Sequence, residues 1–544
     1  MIVALRRQWP IALILLSALG LRLYSIRFGL PALNDPDELM FELGSMRMLR
    51  GPTLNPGWFG HPATTTMYVL AIVDVAVFVT GWIAGWFPTI KDFATAIYAD
   101  PAWMILPGRI AMTLFALGTI QLTFQLATRL FDRSTGLFAA GLLAVSPVHL
   151  TWSQIIRSDM MASFFMLLCL LSALAIARHD RRWDYGLAAL WLGAAIATKW
   201  PFALSALAIG GAVWLLLRDG RISWRQAAGR LLATGLLAGL LLFLISPYLL
   251  LDYPTVLRNL NGEGQARHLG ATGGSLWQNA RWYLTGPLYS GLGAAGLALL
   301  PVGIVFVWRA PTARALLLPV AGGFFVVLCT QTLLWERWAL PLLPFCAIAI
   351  GVALTRLTAG FTALWRQATL LILGLLIALP LLARARDDAR ARLNDTRQIA
   401  TAWARAHIPS GSSVLIEHFA FDLVSQPWRL LFPVGDAGCV DVIAFLQGKM
   451  GYGLIDQARG SRANLDYGTM APARRGECQP DFAILTEYER YLNERAAFPT
   501  EYMAYRELLA HGKIVARFAP QAGVTGGRSV VIVRFDGPHQ RSLR

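Results

Sequence analysis

The sequence predicts a polytopic α-helical membrane protein that ends in a small α/β domain. Hydrophobic residues make up 56% of its 544 residues and charged residues only 15%, whereas a soluble protein carries about 25% charge. Apolar runs of about 20 residues, the length that crosses a bilayer as a helix, recur along the chain, and the last ends at residue 383. We therefore expect a membrane domain over 1–383 and an external domain over 384–544.

Eleven apolar runs are clear, and about 11–13 transmembrane helices are expected in all. The runs cover 10–26, 105–128, 136–150, 160–177, 184–198, 201–217, 231–250, 287–307, 315–334, 339–355 and 367–383. The segment from Met1 to Gly20 could be a signal peptide, but Arg22 and Tyr24 follow it directly, which favours an uncleaved span. A further run at 67–87 contains Asp74 and would invert the later topology if it crossed once. We predict that it is interfacial or re-entrant, or hides two short passes.

The arginines predict the orientation. A net charge of +16 could suggest nucleic-acid binding, but the basic residues recur in short loops between apolar runs, which is the positive-inside pattern. If the eleven runs cross the membrane in alternating directions, every such loop and the N-terminus lie in the cytoplasm. The outward segments are then 27–104, 151–159, the turn at Lys199, 252–286, 335–338 and the tail. Arginine strongly outnumbers lysine, which hints at a GC-rich bacterial genome and therefore at a bacterial inner membrane.

The tail has the pattern of a water-exposed α/β domain. An amphipathic helix is predicted over 395–408, followed by strands at 413–416, 482–486, 514–518 and 530–535. The tail holds no recognisable catalytic motif. Cys439 and Cys478 lie in it on the oxidising side of the membrane, which favours a disulfide, and the alternative is two free buried thiols.

A dense group of carboxylates, Asn34-Asp35-Pro36-Asp37-Glu38, follows the first run. One interpretation is the start of a short amphipathic helix on the membrane surface, with Asp35 as the N-cap and Asp37 and Glu38 at the positive end of the helix dipole. The other is a reactive site, because carboxylates beside hydrocarbon are costly unless they pair, ligate or react. The next loop returns His61 to the same surface, so both interpretations stay open.

Polar residues at the membrane ends gather on the outward side. They are Asp35, Asp37, Glu38, His61, Arg109, Arg157, Asp159, Lys199, Glu336 and Arg337. A transporter or flippase would instead place ionisable groups near the midplane of repeated helices. Only Asp74 lies there, and no internal repeat is present. A flippase of lipid-linked glycans is the alternative function, and a membrane scaffold whose tail binds a partner is a second.

Four motifs together resemble the GT-C class of glycosyltransferases, above all the protein O-mannosyltransferases and the lipid A aminoarabinose transferases. They are Asp37-Glu38 after the first span, Gly60-His61-Pro62, Arg157-Ser158-Asp159, and Glu336-Arg337 with the prolines that follow. Ala63-Thr64 stands where the family has a second proline. The start of the tail, 395–411, also resembles bacterial members. The resemblance implies a glycosyltransferase that moves a sugar from a polyprenyl-phosphate donor, with inversion, to an acceptor outside the cytoplasm, which could be a protein, a lipid or a glycan.

Such a transfer needs a base for the acceptor hydroxyl, and the resemblance implies Asp37 for this role. Glu38 is expected to orient Asp37, bind the acceptor or cap the helix. Asp159 is expected to bind the acceptor, to cap the next helix, or to hold a divalent cation together with Asp37. That cation is the one cofactor that the sequence leaves open.

The departing phosphate needs positive charge, and Arg337 is the leading candidate because a guanidinium matches phosphate oxygens in a bidentate way. Lys199, His61, Arg109 and Arg157 are further candidates. The alternatives are interface anchors for the cations and a structural role for His61. The glycine-rich loop 252–286 is expected either to close over a donor or to be a plain surface loop.

Overall fold

The structure is a computed structural model, and it describes residues 2–51, 53–418, 420–447, 457, 462 and 464–535. The membrane domain is almost entirely helical, as its apolar runs predict. Its helices are α1 (Ile2–Leu23), α2 (Pro36–Arg50), α3 (Thr64–Ile83), α4 (Ile90–Ala99), α5 (Ala102–Leu130), α6 (Arg133–Val145), α7 (Pro147–Ser153), α8 (Ser158–His179), α9 (Arg182–Thr198), α10 (Ala206–Arg218), α11 (Trp224–Ile245), α12 (Tyr248–Leu251), α13 (Tyr253–Glu263), α14 (Leu276–Tyr283), α15 (Tyr289–Arg309), α16 (Pro311–Thr330), α17 (Leu343–Leu357) and α18 (Ala363–Leu393).

The predicted class is confirmed, with a smaller number of full-length spans. In the described part of the chain, nine helices are long and apolar enough to cross a membrane, or ten if α6 and α7, which meet at 62°, form one broken span. The expected 11–13 is higher because α1 contributes an apolar stretch of only Gln8–Leu23 and α9 has 17 residues. Each of the eleven predicted runs nevertheless overlaps a helix.

The uncertain run at 67–87 belongs to α3, which is one continuous helix of 20 residues. The start of α3 lies beside the end of α9, because the Ala63 amide donates to the Thr198 carbonyl over 3.1 Å. Near the start of α5, Arg109 donates to the Ile26 carbonyl over 2.7 Å, just beyond α1. The chain thus leaves and returns on the side where α1 ends. Because Thr64–Ile83 is also one of the nine described helices that are long and apolar enough to cross, an interfacial or re-entrant placement stays a prediction. The prediction of two short passes is wrong.

Small residues let the central helices approach closely. A Cβ on Gly211 of α10 would lie 2.0 Å from the Ala315 carbonyl oxygen of α16. A Cβ on Gly303 of α15 would lie 2.1 Å from the Ala349 carbonyl oxygen of α17. Helices in a bilayer gain little from the hydrophobic effect and pack through such close contacts instead. The result is a closely packed helical bundle.

The C-terminal domain is an α/β domain, as predicted. It begins with α19 (Thr396–His407) and carries the strands β1 (Ser413–Ile416), β2 (Arg429–Val434), β3 (Gly438–Asp441), β4 (Phe482–Leu485), β5 (Gly512–Phe518) and β6 (Val530–Phe535), with helices α20 (Val442–Gln447), α21 (Tyr488–Asn493) and α22 (Pro499–Ala510). The strand order is β3-β2-β1-β4-β6-β5, with β1 parallel to β2 and β4 and the outer pairs antiparallel. Cys439 and Cys478 form a disulfide with Cα atoms 5.4 Å apart.

The segment 252–286, expected to be a closing loop or a plain surface loop, is mostly helical, since α13 and α14 occupy both of its ends. Its centre is held from two sides. Leu269 is fully buried in the core of the C-terminal domain, and its carbonyl accepts a hydrogen bond from Arg490 at 2.6 Å. On the other side, the Gly273 amide donates to the Thr332 carbonyl over 2.7 Å. The loop therefore links the C-terminal domain to the turn before Arg337.

Candidate active site

The candidate site begins at the N-terminus of α2. Asp35 is the N-cap, and its Oδ1 accepts from the Asp37 amide at 3.1 Å, with Pro36 at the first helical position. The same carboxylate accepts from Nη2 of Arg157 at 2.7 and 3.0 Å, while Nη1 of Arg157 pairs with Asp37. The capping interpretation is therefore confirmed for Asp35, which also forms an ion pair with Arg157. One guanidinium holds both carboxylates at the start of the helix.

Asp37 is the more solvent-exposed of the two carboxylates, with 39% of its side chain exposed against 18% for Asp35. Burial by neighbouring groups alone would raise the pKa of Asp37. The positive charges of Arg157 and Arg337 outweigh this effect, so the pKa falls to about 2. Asp37 is therefore ionised at neutral pH. A carboxylate in this state can accept a proton.

Glu38, by contrast, points into the protein. Its carboxylate accepts from Nε and Nη2 of Arg109 at 2.8 and 2.6 Å and from the Ile156 amide at 3.1 Å. Both side chains of the pair are 0% exposed, and Arg109 also donates to backbone carbonyls after α1. Glu38 and Arg109 thus join α2, α5 and the turn before α8. Neither side chain is open to a substrate in this arrangement.

Asp159 and Lys199 form a second buried pair. Nζ of Lys199 donates to Oδ1 of Asp159 over 2.5 Å, and both side chains are less than a tenth exposed. Lys199 lies in extended backbone after α9, where it forms a β-bridge with Pro62 of the first external loop. This bridge brings His61 to the pair. Burial lowers the pKa of Lys199, although the charge of Asp159 opposes that effect.

Arg337 lies beside this pair on the turn Glu336–Leu342 that precedes α17. Its guanidinium stacks 4.4 Å from the ring centre of Trp335, and its Nε lies 4.0 Å from Oδ2 of Asp159, which is too far for a hydrogen bond. Within the described residues both of those atoms are buried without a hydrogen-bond partner. Arg337 is 6% exposed. The guanidinium is thus held by an aromatic face, and its polar edge is available to an anion.

His61 is a neutral ring in an aromatic setting. Its ring centre lies 4.9 Å from that of Trp58, and its Nε2 lies 4.0 Å from a carboxylate oxygen of Glu263 on α13. Burial, reinforced by the charge of Lys199, lowers the pKa of His61 to about 3. Nδ1 is buried without a partner among the described atoms. A neutral imidazole at this position can donate one hydrogen bond, but it adds no charge against a phosphate.

The structure brings the sequence-predicted residues together in two layers. Asp37, Arg157, Asp159, Lys199, Arg337 and His61 interact electrostatically across one polar cluster. Glu38 and Arg109 form the scaffold beneath it. The ion pair of Asp35 and the stacking of Arg337 on Trp335 were not predicted. Trp335 lies two residues before Arg337, and this spacing was a signal for the stacking. No local feature of the sequence points to Arg157 as the partner of Asp35.

The residues present do not fit a divalent cation. Asp37 is paired with Arg157, and Asp159 is paired with Lys199. Across the described residues, no group of three or more histidine, cysteine, aspartate or glutamate side chains could hold a metal ion. Three cationic side chains surround the two aspartates, and they would repel a metal ion. We therefore assign no step to a metal.

The chain is similar to known glycosyltransferases. Residues 85–250 match the family model described as dolichyl-phosphate-mannose-protein mannosyltransferase. No curated protein sequence matches the chain. Two crystal structures of ArnT from Cupriavidus metallidurans share the fold, one bound to undecaprenyl phosphate and one in the apo state, with TM-scores of 0.52 and 0.51. Both are 16% identical to this chain and cover 97% of it and 98% of their own length.

The family match covers part of the membrane domain, and the structural likeness extends from that domain into the C-terminal sheet. The likeness to ArnT shows the fold, and the family match indicates the chemistry. Together they support the resemblance that the four sequence motifs predict. The chain thus has the fold of ArnT over nearly its whole length, and part of its membrane domain matches a glycosyltransferase family model.

Proposed function

We propose that the protein transfers a sugar from a polyprenyl phosphate to an acceptor hydroxyl on the outer side of a bacterial inner membrane, with inversion at the anomeric carbon. One observation carries this proposal. An ionised, half-exposed carboxylate, Asp37, shares a cluster with a buried guanidinium, Arg337, whose Nε has no hydrogen-bond partner among the described residues. An acceptor base and a phosphate-binding group are the two elements that the reaction needs.

In the proposed reaction the acceptor oxygen attacks the anomeric carbon while Asp37 takes its proton. The bond between the anomeric carbon and the phosphate oxygen breaks, and its electron pair leaves with the polyprenyl phosphate. Arg337 stabilises the charge that develops on the phosphate, supported by Lys199. Attack from the face opposite the phosphate gives inversion. ArnT, which has the same fold, is known in complex with undecaprenyl phosphate, which supports a polyprenyl-phosphate donor.

The test measures transfer from a radiolabelled polyprenyl-phosphate sugar in proteoliposomes. Several donor sugars are offered, with a crude envelope fraction as the acceptor. We expect Asp37→Asn to lower the turnover by at least about a hundredfold, the lower range for losing a general base. Asp219→Asn is the matched control, because Asp219 is an exposed carboxylate that pairs with its neighbour Arg218.

The outcomes separate the candidate functions. Loss of transfer in Asp37→Asn, with normal transfer in Asp219→Asn and equal amounts of folded protein, supports the proposal. Equal turnover by native protein and Asp37→Asn would remove Asp37 as the base and make Asp159 the next candidate. Movement of labelled lipid across the bilayer without sugar transfer would instead show a flippase.

A further inference from the structure

The C-terminal domain contacts the segment before α2, which leads to Asp37, through the first turn of α19. Asn34 and Gln398 exchange two side-chain hydrogen bonds, each of 2.7 Å, in which each amide nitrogen donates to the oxygen of the other. Next to this pair, Nη1 of Arg397 donates to the Asn34 carbonyl over 2.7 Å. Asn34 is 8% exposed. The domain thus forms hydrogen bonds with both the side chain and the backbone of Asn34.

The side of this contact that belongs to α19 is itself held firmly. Asp395 caps α19 by accepting from the Arg397 amide at 2.9 Å. Its two carboxylate oxygens also accept from Nε and Nη2 of Arg397 at 2.9 and 2.7 Å. Asp395 is 4% exposed. Arg397 therefore keeps one orientation, and its remaining nitrogen points at Asn34.

On the other side of the contact, Asn34 lies three residues before Asp37, the proposed base. Leu33 has a φ of 62°, a left-handed conformation that is costly for a residue with a branched side chain and persists only when its surroundings hold it. Asn34 follows Leu33 and precedes Asp35, which caps α2 and pairs with Arg157. Any shift of Asn34 would move Asp35 and with it the start of the helix that carries Asp37.

A separate apolar contact already docks the domain on the first external loop. Phe421, which follows β1, is buried in a cluster with Leu33, Phe41 and Trp58. Apolar burial of this kind suffices to hold two surfaces together. A buried amide pair adds little net affinity, but it requires one geometry. The amide pair therefore adds positional accuracy rather than affinity.

We propose that Asn34 and Gln398 are a positioning pair, through which the C-terminal domain sets the place of Asp37. This inference rests on the proposed function, in which Asp37 is the base. It makes the domain a working part of the active centre, and it gives a role to a domain in which no catalytic motif is recognised. Neither residue belongs to the polar cluster of Asp37 and Arg337, so we expect the pair to affect turnover and not donor binding.

The test is a double-mutant cycle with Asn34→Ala, Gln398→Ala and the double variant. We expect each single change to lower kcat about ten- to a hundredfold, the range for a base displaced by about 1 Å. The KM for the polyprenyl-phosphate sugar should stay within about twofold. The double variant should be no slower than the slower single variant, because one interaction is lost in all three. Gln521→Ala, an exposed glutamine of the same domain, is the control.

Hydrogen exchange gives a readout that does not depend on the reaction. We expect faster exchange of the amides at 33–41 in the variants, with unchanged exchange in β1 and β4, which shows that the domain is folded. Native kcat in Asn34→Ala, or a double variant whose loss is the product of the single losses, would overturn the proposal. If Asp37→Asn retained activity, the assignment of Asp37 as the base would fail, and exchange at 33–41 would still decide whether the pair positions the loop.

Discussion

Arg157 limits the strength of Asp37 as a base. With a pKa of about 2, Asp37 is ionised throughout the physiological range, but it has a low affinity for a proton. In the proposed reaction the proton of the acceptor hydroxyl would therefore move late, when the new bond has already made the oxygen acidic. Most of the barrier lowering would then come from Arg337 and Lys199, the cations proposed to bind the phosphate.

Glu38 and Asp37 are neighbours in sequence, yet their environments assign them different roles. Glu38→Gln should destabilise the protein by about 3–5 kcal/mol, because the guanidinium of Arg109 would stay buried without a countercharge. The measurement is the free energy of unfolding, or the apparent Tm, in one detergent. Asp37→Asn is the comparison and should keep the native Tm while losing activity, because its side chain is 39% exposed.

A Glu38→Gln protein with native stability and no turnover would reverse this assignment and return Glu38 to the residues that contact substrate. From the sequence alone, Asp37 and Glu38 form one acidic pair, and no local feature tells them apart. The difference comes from Arg109 and Ile156, which lie 71 and 118 residues away along the chain. Long-range partners of this kind are not encoded in any local pattern.

At the scale of single elements, α2 is the best-predicted part of the site. Its N-cap Asp35 is a local signal that the structure confirms, with Pro36 at the first helical position. Strands β2 and β3 are absent from the prediction. Arg429–Val434 contains a proline and Gly438–Asp441 has only four residues, so neither has a clear alternating pattern. The sheet itself supplies the partners that make them strands.

The loop between α13 and α14 gives a test of how elements are coupled. Leu269→Ala should weaken the docking of this loop by about 2–5 kcal/mol, because it empties a fully buried site in the core of the C-terminal domain. Hydrogen exchange at 264–275 should then become faster. Leu260→Ala, at a 37% exposed position of α13, is the matched control and should leave exchange unchanged. Unchanged exchange in Leu269→Ala would show that the contacts with Gln331–Trp335 hold the loop alone.

For the whole molecule, the fold class followed from apolar length and charge placement, because both act locally. Apolar length and charge placement could not predict the break between α6 and α7 or the path of segment 64–108. Tertiary contacts decide whether an apolar helix crosses, bends or returns. The orientation of the molecule is a proposal that combines the positive-inside pattern with the site. It requires the site and the C-terminal domain to lie outside and the arginine-rich loops to lie inside.

Cysteine labelling tests that orientation directly. The native cysteines give little background, because Cys169, Cys329 and Cys346 are buried and Cys439 is joined to Cys478. Ser410→Cys places a thiol on an exposed turn of the C-terminal domain, and Gly360→Cys places one in an exposed loop with no atom within 4 Å of the new Cβ. In intact spheroplasts, a membrane-impermeant maleimide should label the first variant and leave the second unlabelled until the membrane is opened. The reverse pattern would place Asp37 in the cytoplasm. Labelling of both variants in sealed cells would mean that α18, which lies between the two positions, does not cross the membrane.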